Sequence, residues 1–261
     1  MDTEPTKEAN GKNYPSVTGI GRDEHVGMVR EIFATITGRY DFLNHLLSLR
    51  RDIAWRRFAV RRMRFFSTFR LLDVATGTAD LAIEAAKGHP GVHVMGIDFA
   101  PEMLAVGQRK ITERGLAERI RLLQADAMTL PFPDGSFDAV GIAFGIRNMP
   151  DRLRALREMR RVLVPGGRLF VLEMNSPRSR LWRGFFAPYL NRILPVIARL
   201  FSRNPAAYLY LVDSITHFPA PPAFLALMEE AGFGNRERYS LTFGITSLYI
   251  GSAGDNEEKT G

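Results

Sequence analysis

The spacing of apolar positions changes character along the chain. Val29, Ile32, Phe33, Ile36 and Tyr40 fall at i, i+3, i+4, i+7 and i+11, the period of a helix buried on one side. Gly38 interrupts or ends that helix, and a second apolar run, Phe42 to Leu49, leads into the basic stretch Arg50–Arg64. From Phe69 the pattern becomes short runs of strand length: Leu71–Ala75, Val92–Ile97, Ile120–Ala125, Ala139–Phe144 and Leu169–Leu172. Asp80–Lys87, Pro101–Arg114 and Asp151–Val164 lie between them, each long enough for a helix. Pro165-Gly166-Gly167 reads as a turn that feeds a strand. An Arg-rich apolar region then runs to about Val212, followed by a short helix near Phe224–Ala231 and strand candidates Arg238–Phe243 and Ser247–Gly251.

Strands alternating with helices predict an α/β fold, a doubly wound and mostly parallel seven-stranded sheet. The expected boundaries are a disordered tail over 1–21, an N-terminal helical cap over 22–66 and a main domain over 67–254. A helical insertion about 178–212 would act as a lid, and 255–261 reads as a frayed tail.

Composition narrows the chemistry. The 261 residues suit one such domain with some additional structure. There is no cysteine, which excludes disulfides, cysteine-ligated zinc, iron–sulfur clusters and cysteine nucleophiles. The net charge of +7, from 30 Arg and 5 Lys against 28 acids, favours anionic partners such as acidic lipid or nucleic acid. Arginine replacing lysine is also what genome composition alone produces. No apolar run reaches ~18–20 residues. Residues 1–20 are polar and lack the apolar centre of a secretory signal, so a cytoplasmic protein is expected. The five histidines show no metal-ligand spacing, since Pro90-Gly91 separates His89 from His93, and no metal is expected.

In open α/β sheets ligands bind beyond the carboxyl ends of the strands, so the residues just after each strand carry the information. Asp73-Val74-Ala75-Thr76-Gly77-Thr78-Ala79-Asp80 follows the first, and Asp98 stands 21 positions after Gly77. A turn of small residues with an acid ~20 positions on suits a nucleoside, whose ribose hydroxyls donate to the carboxylate. The turn lacks the glycines of a dinucleotide fingerprint, having Ala79 and Ala82 instead. Asp73 and Asp80 would repel a pyrophosphate and suit a ligand bearing a sulfonium and an amino group, unless they merely cap the next helix. Asp126-Ala127 follows the third strand and Gly145-Ile146-Arg147-Asn148-Met149-Pro150 the fourth.

Taken in order, Leu72–Asp80, Gly96-Ile97-Asp98, Leu130–Asp134, Phe137-Asp138, Phe144–Asn148 and Arg161–Gly167 resemble the ubiquinone/menaquinone-biosynthesis C-methyltransferases. Tyr40–Asn44 and Trp55-Arg56-Arg57 fit the same pattern, so the resemblance covers about residues 26–251. It implies a Rossmann-like methyltransferase sheet and S-adenosyl-L-methionine as cofactor. Contacts to that cofactor are implied at Thr78, Asp98, Asp126 and Ala127, beside the Asp73 and Gly77 of the turn. Three departures stand out: Asp52-Ile53-Ala54 where a His-Arg pair often precedes the tryptophan, Ala143 where serine is common, and Ala79 in place of a glycine.

The implied reaction methylates a ring carbon ortho to a phenolic hydroxyl on a polyprenyl quinol, with demethylmenaquinol favoured over a benzoquinol. Arg147 is the expected stabiliser of the phenolate and Tyr40 and Asn148 the expected partners of substrate oxygens. Tyr40 would equally suit a core position at helical spacing from Ile36. Between Leu181 and Phe201, aromatic and aliphatic residues interleave with arginines, which suits an anionic membrane surface. A lid or a homodimer contact explains the same pattern equally well.

The same residues leave three competing readings: a nucleic-acid methyltransferase, a nicotinamide oxidoreductase and a non-catalytic cofactor-binding subunit. The loop after the fourth strand lacks the Pro-Pro-aromatic signature of base amino-methylation, so no nucleic-acid partner is expected. The missing glycines speak against the oxidoreductase.

Overall fold

The structure is a computed structural model. It describes residues 51–175 and 206–254 (without the side chains of 206–209), and before them Gly21, Glu24, 27–29, Glu31, Ile32, Asp41, His45 and 48–50. Tyr40, the interleaved segment 178–203 and both tails lie outside the described residues.

The elements run α1 (Arg51–Val60), β1 (Arg70–Val74), α2 (Asp80–Gly88), β2 (His93–Asp98), α3 (Pro101–Glu113), β3 (Ile120–Gln124) and β4 (Phe137–Ala143). They continue with α4 (Arg152–Arg161), β5 (Leu163–Met174), α5 (Ala206–Thr216), α6 (Pro221–Glu230), β6 (Gly234–Leu241) and β7 (Thr246–Ala253). One seven-stranded sheet has the order β3-β2-β1-β4-β5-β7-β6. β1 to β5 are parallel, and β7 enters antiparallel between β5 and β6. The doubly wound sheet expected from the apolar runs is therefore present.

Strand alternation sends neighbouring residues to opposite cores. Leu72, Val140, Leu169 and Val171 face α4 and α6, where Leu156, Met159, Phe224 and Met228 are buried. Leu71, Ala139, Phe170 and Leu172 face α1 and α2, against Trp55, Val60, Leu81 and Ala85. Both faces are covered, which is why these strands read as continuous apolar runs.

Among the boundaries that differ from the sequence pattern, the starts of β5 and β6 move furthest. β5 starts at Leu163, six residues before its apolar run, because Pro165-Gly166-Gly167 is absorbed as an irregularity between the pairs Phe137↔Leu163 and Ala139↔Arg168. β6 starts at Gly234 because it is an edge strand, and its polar stretch Asn235-Arg236-Glu237 needs no buried face. Strand order reverses between β1 and β4, and the loops after them open a cleft there.

Candidate active site

The cleft is built on the turn between β1 and α2. Ala75, Gly77 and Ala79 all take left-handed backbone, with φ of 52°, 55° and 65°. The two alanines each cost roughly 1–2 kcal/mol there, so the surroundings must hold the turn. Thr76 N donates to Ile97 O at 2.8 Å and Gly77 N to Asp98 Oδ2 at 2.9 Å. Asp73 is buried beneath, its Oδ2 accepting from Thr76 Oγ1 at 2.6 Å and from Ala82 N at 3.1 Å. Ala79 thus occupies a glycine-like conformation that Asp73, Thr76 and Asp98 enforce.

Burial pushes the Asp73 carboxyl up to about 7, against the hydrogen bonds from Thr76 and Ala82 and the charge of Arg56. The folded state therefore favours the protonated form. Stability from this group is complete below its unfolded value of 3.8 and is lost as pH rises through about 7. Asp73→Asn keeps an acceptor without the titration. Urea unfolding at pH 4 and pH 8 should show the difference between variant and parent moving in the variant's favour, by on the order of 4 kcal/mol at most. An unchanged difference contradicts a raised Asp73.

A cavity of about 200 Å³ opens above the turn, lined by Gly77, Asp98, Asp126, Ala127, Asn148 and mostly apolar neighbours. Asp98 ends β2 and is buried, and its Oδ1 accepts from Ala100 N at 2.9 Å. Burial raises its carboxyl above the ordinary range, while backbone donors from Ala100, Gly77 and Phe99 pull it down. These donors hold the carboxylate at the cavity wall, where a diol can donate to it. Asp126 uses Oδ1 on Met128 N at 2.8 Å, leaving the other oxygen available beside Ala127. Gly145 closes the β4 side, where a Cβ would lie 2.6 Å from that of Ala75. A strand-end carboxylate, a backbone-lined turn and an apolar slot containing Phe99, Met103 and Met128 fit a nucleoside with a small-residue approach. S-adenosylmethionine meets that description.

Beyond Gly145 a 3-10 turn, Ile146–Asn148, carries the next candidates. Asn148 lines the cavity, but Arg147 turns away from it. The Arg147 guanidinium lies 2.6 Å from Glu173 Oε1, and its backbone N donates to Glu173 Oε2 at 3.3 Å. Arg147, the expected phenolate stabiliser, is thus held behind the wall by a fully buried carboxylate and does not line the cavity. Arg152 donates to Arg147 O at 3.0 Å, and the Tyr210 hydroxyl donates to Asn148 Oδ1 at 3.2 Å. Glu173 followed the same strand-end rule as the other acids, since it directly succeeds the apolar run of β5. Tyr210 had no such signal, because α5 is remote in sequence.

Asp73 and Thr78 also stand outside the cavity wall. Asp73 is spent on the turn, as the helix-capping alternative has it. The Thr78 hydroxyl donates to Asp41 Oδ1 at 2.5 Å and receives Lys110 Nζ at 3.1 Å. Lys110 also pairs with Asp41 at 2.7 Å and with Asp80. Asp80 is thus committed to a fixed cation and does not face a ligand. His45, Asp52 and Asp80 bring ligand atoms within 4.8 Å of one another, a grouping that histidine spacing did not disclose. Arg56 lies among them, 2.6 Å from Asp52 and 3.9 Å from Asp80, so an arginine already meets their charge. Burial would raise the Asp52 carboxyl, but the Ser48 hydrogen bond and Arg56 together hold it below the usual carboxylate range.

The model of the ubiE/COQ5 methyltransferase family matches residues 20–253. A demethylmenaquinone methyltransferase of Thermus thermophilus is 49% identical over 220 residues, 84% of this chain and 99% of its own. The ubiquinone/menaquinone biosynthesis C-methyltransferase UbiE of Geotalea daltonii is 46% identical over 224 residues, 85% and 95% of the two chains. Among solved structures, a SAM-dependent methyltransferase of Thermotoga maritima superposes with a TM-score of 0.60 at 18% identity, covering 85% of this chain and 98% of its own. Phosphoethanolamine N-methyltransferase 2 of Haemonchus contortus, solved with S-adenosyl-L-methionine, also gives 0.60 at 20% identity, covering 86% of this chain and 47% of its own.

Proposed function

The chain belongs to the ubiE/COQ5 methyltransferase family, and from that premise we propose that it converts demethylmenaquinol to menaquinol. It is an S-adenosylmethionine-dependent C-methyltransferase of quinone biosynthesis. The observation that carries the finer reading is one cavity with Asp98 and Asp126 on one side, Asn148 on the other and an apolar lining between. A naphthoquinol ring is flat and apolar with oxygens at its edge, and Asn148 meets such an oxygen.

Bound S-adenosylmethionine supplies an electrophilic methyl on a sulfonium. Asp98 would accept from the ribose hydroxyls, while Asp126 and Ala127 would receive the base. Gly77 lets the ligand approach the backbone, and Asp73 and Thr78 act through the turn that they hold. The quinol carbon becomes nucleophilic when its ortho hydroxyl gives up a proton. Arg147 cannot serve as base at neutral pH, because its guanidinium stays protonated. It acts from behind the wall, next to Asn148 in the chain, with Arg152 donating to its carbonyl and with Glu173 and Asp213 as the nearby acids. A guanidinium at that position favours phenolate over phenol. Tyr40, outside the described residues, is proposed as a second partner of the substrate oxygens.

The test is methyl transfer from S-adenosylmethionine to demethylmenaquinol and to a prenylated benzoquinol. Transfer to the naphthoquinol, reduced about 10²-fold in kcat by Asn148→Ala, supports the reading. Transfer to the benzoquinol alone overturns the substrate, and cofactor binding without any transfer leaves a non-catalytic subunit.

A polyprenyl substrate resides in a bilayer, and we propose that the mouth of the site meets an anionic membrane surface. No described helix is long and apolar enough to cross a membrane. Leu49 and Phe243 are 78% and 71% exposed, and both have left-handed backbone, with φ of 51° and 55°. Both lie at the cofactor end of the sheet. Leu49 precedes α1, whose first turns face Asp80, and Phe243 stands in the β6–β7 turn, where Ile245 O accepts from Asn175 N just past the end of β5. Exposed Arg50 and Arg51 stand beside Leu49. Insertion of the two apolar side chains contributes roughly 1.5–3 kcal/mol each, and each arginine adds about 1 kcal/mol at an anionic surface. Sedimentation with phosphatidylglycerol vesicles at low salt should fall at least tenfold in Leu49→Ser/Phe243→Ser. Equal sedimentation of variant and parent rejects this rim.

A further inference from the structure

We propose that Tyr210 is a positioning residue that fixes the polarity of Asn148, turning its NH2 toward the cavity so that the site receives a ring oxygen as an acceptor. The inference rests on the quinol reading above and deepens it, by assigning which ionisation state of the substrate the wall selects.

The backbone of Asn148 is already fixed. It closes the 3-10 turn, its N donates to Gly145 O at 3.1 Å, and the preceding residue is clamped to Glu173 from both backbone and side chain. What remains free is the terminal torsion of the amide, which is broadly two-fold and exchanges donor for acceptor. With the NH2 toward the cavity, Asn148 donates to an oxygen that carries lone pairs and negative charge. With the carbonyl toward the cavity, it accepts from a hydroxyl and holds the phenol protonated. The two orientations oppose one another in the step that makes the ring carbon nucleophilic.

Tyr210 breaks that symmetry. Its hydroxyl is buried and lies 3.2 Å from Asn148 Oδ1. The charges that bear on it include Arg147 and Arg152, together with Asp213 and Glu173. The two arginines are donors only, so neither can take the phenolic proton. Glu173 already accepts Arg147 Nη1, Arg147 N and Met174 N. The hydroxyl donates to Asn148 Oδ1, and the amide so held presents its NH2 to the cavity. Burial pushes the Tyr210 phenol up to about 12, so it remains a donor throughout the working range.

Tyr210→Phe removes the hydroxyl and retains the packed ring. The expected result is a kcat lower by about tenfold near neutral pH, recovering at alkaline pH, with KM for the quinol changed less than about threefold. A second readout needs no methyl transfer: 1-naphthol titrated by absorbance in the presence of the protein. The parent should lower its apparent pKa, Tyr210→Phe should lower it less, and acceptor-only Asn148→Asp should raise it. In an Asn148→Ala background, Tyr210→Phe should add no further loss. A naphthol ionisation identical in parent and Tyr210→Phe overturns the proposal, as does a full additional loss in the Asn148→Ala background. If no variant methylates the quinol while the naphthol shifts still separate parent from Tyr210→Phe, the substrate reading fails and the role of Tyr210 stands.

Discussion

Asp98→Ala should weaken S-adenosylmethionine binding at least about 10²-fold by calorimetric titration while leaving the protein folded. The carboxylate ends β2 at the point where the strand order reverses, and two ribose hydroxyls donating to it are worth roughly 1.5–3 kcal/mol each. The lower end of that sum, about 3 kcal/mol, is already a factor of 10² in Kd. The loss has a second component, because Gly77 N and Ala100 N both donate to this side chain at 2.9 Å and hold the turn and the start of α3. Asp98→Asn, which keeps one acceptor, should bind with intermediate affinity. The pH dependence separates the two variants from the parent. Burial raises the Asp98 carboxyl, and only the ionised form offers every lone pair to a diol. Parent affinity should therefore fall as pH is lowered through that raised value, whereas Asp98→Asn should lack this dependence. A Kd for Asp98→Ala within threefold of the parent rejects the ribose assignment.

Glu173→Ala is expected to destabilise the fold by about 3–5 kcal/mol, because it leaves a buried guanidinium without its carboxylate. Glu173 is 0% exposed and Arg147 6%, so solvent does little to screen the pair. The carboxylate receives Arg147 Nη1 at 2.6 Å, Arg147 N at 3.3 Å and Met174 N at 2.8 Å, joining β5 to the turn after β4. For a chain of this size, such a loss lowers Tm by roughly 6–20 °C. The compensating variant Glu173→Ala/Arg147→Met should recover much of the stability, because the uncompensated charge is what costs most. Activity should not return with it, since the turn that carries Asn148 loses its clamp. Urea unfolding checks the first point and methyl transfer the second. A change in stability below 1 kcal/mol would show that Glu173 is not the anchor of this wall.

The amino-acid sequence by itself determined the winding of the sheet and several of the residues that line the cavity. Runs such as Leu71–Ala75, apart from Asp73, and Ala139–Phe144 are apolar because both faces of a parallel sheet are covered, and that pattern is local. That Asp98, Asp126 and Asn148 line the cavity was legible for a related reason: in this architecture the cleft opens directly after the strands, so strand positions locate its lining. The stretch of β6 before Arg238 stayed illegible because an edge strand needs no apolar face.

Only the tertiary structure decided which of the polar residues reach the cavity. Asp73, Thr78 and Asp80 occupy the same turn as Gly77, yet each is claimed by a partner: Ala82 N, Asp41 or Lys110. Arg147 and Asn148 are neighbours in sequence with opposite destinies, one drawn inward by Glu173 and the other left facing the cavity. Nothing local distinguishes them, because the choice is made by a carboxylate 26 residues away and a phenol 62 residues away. A buried charge must find its counter-charge, and which one it finds depends on how the strands are ordered in space.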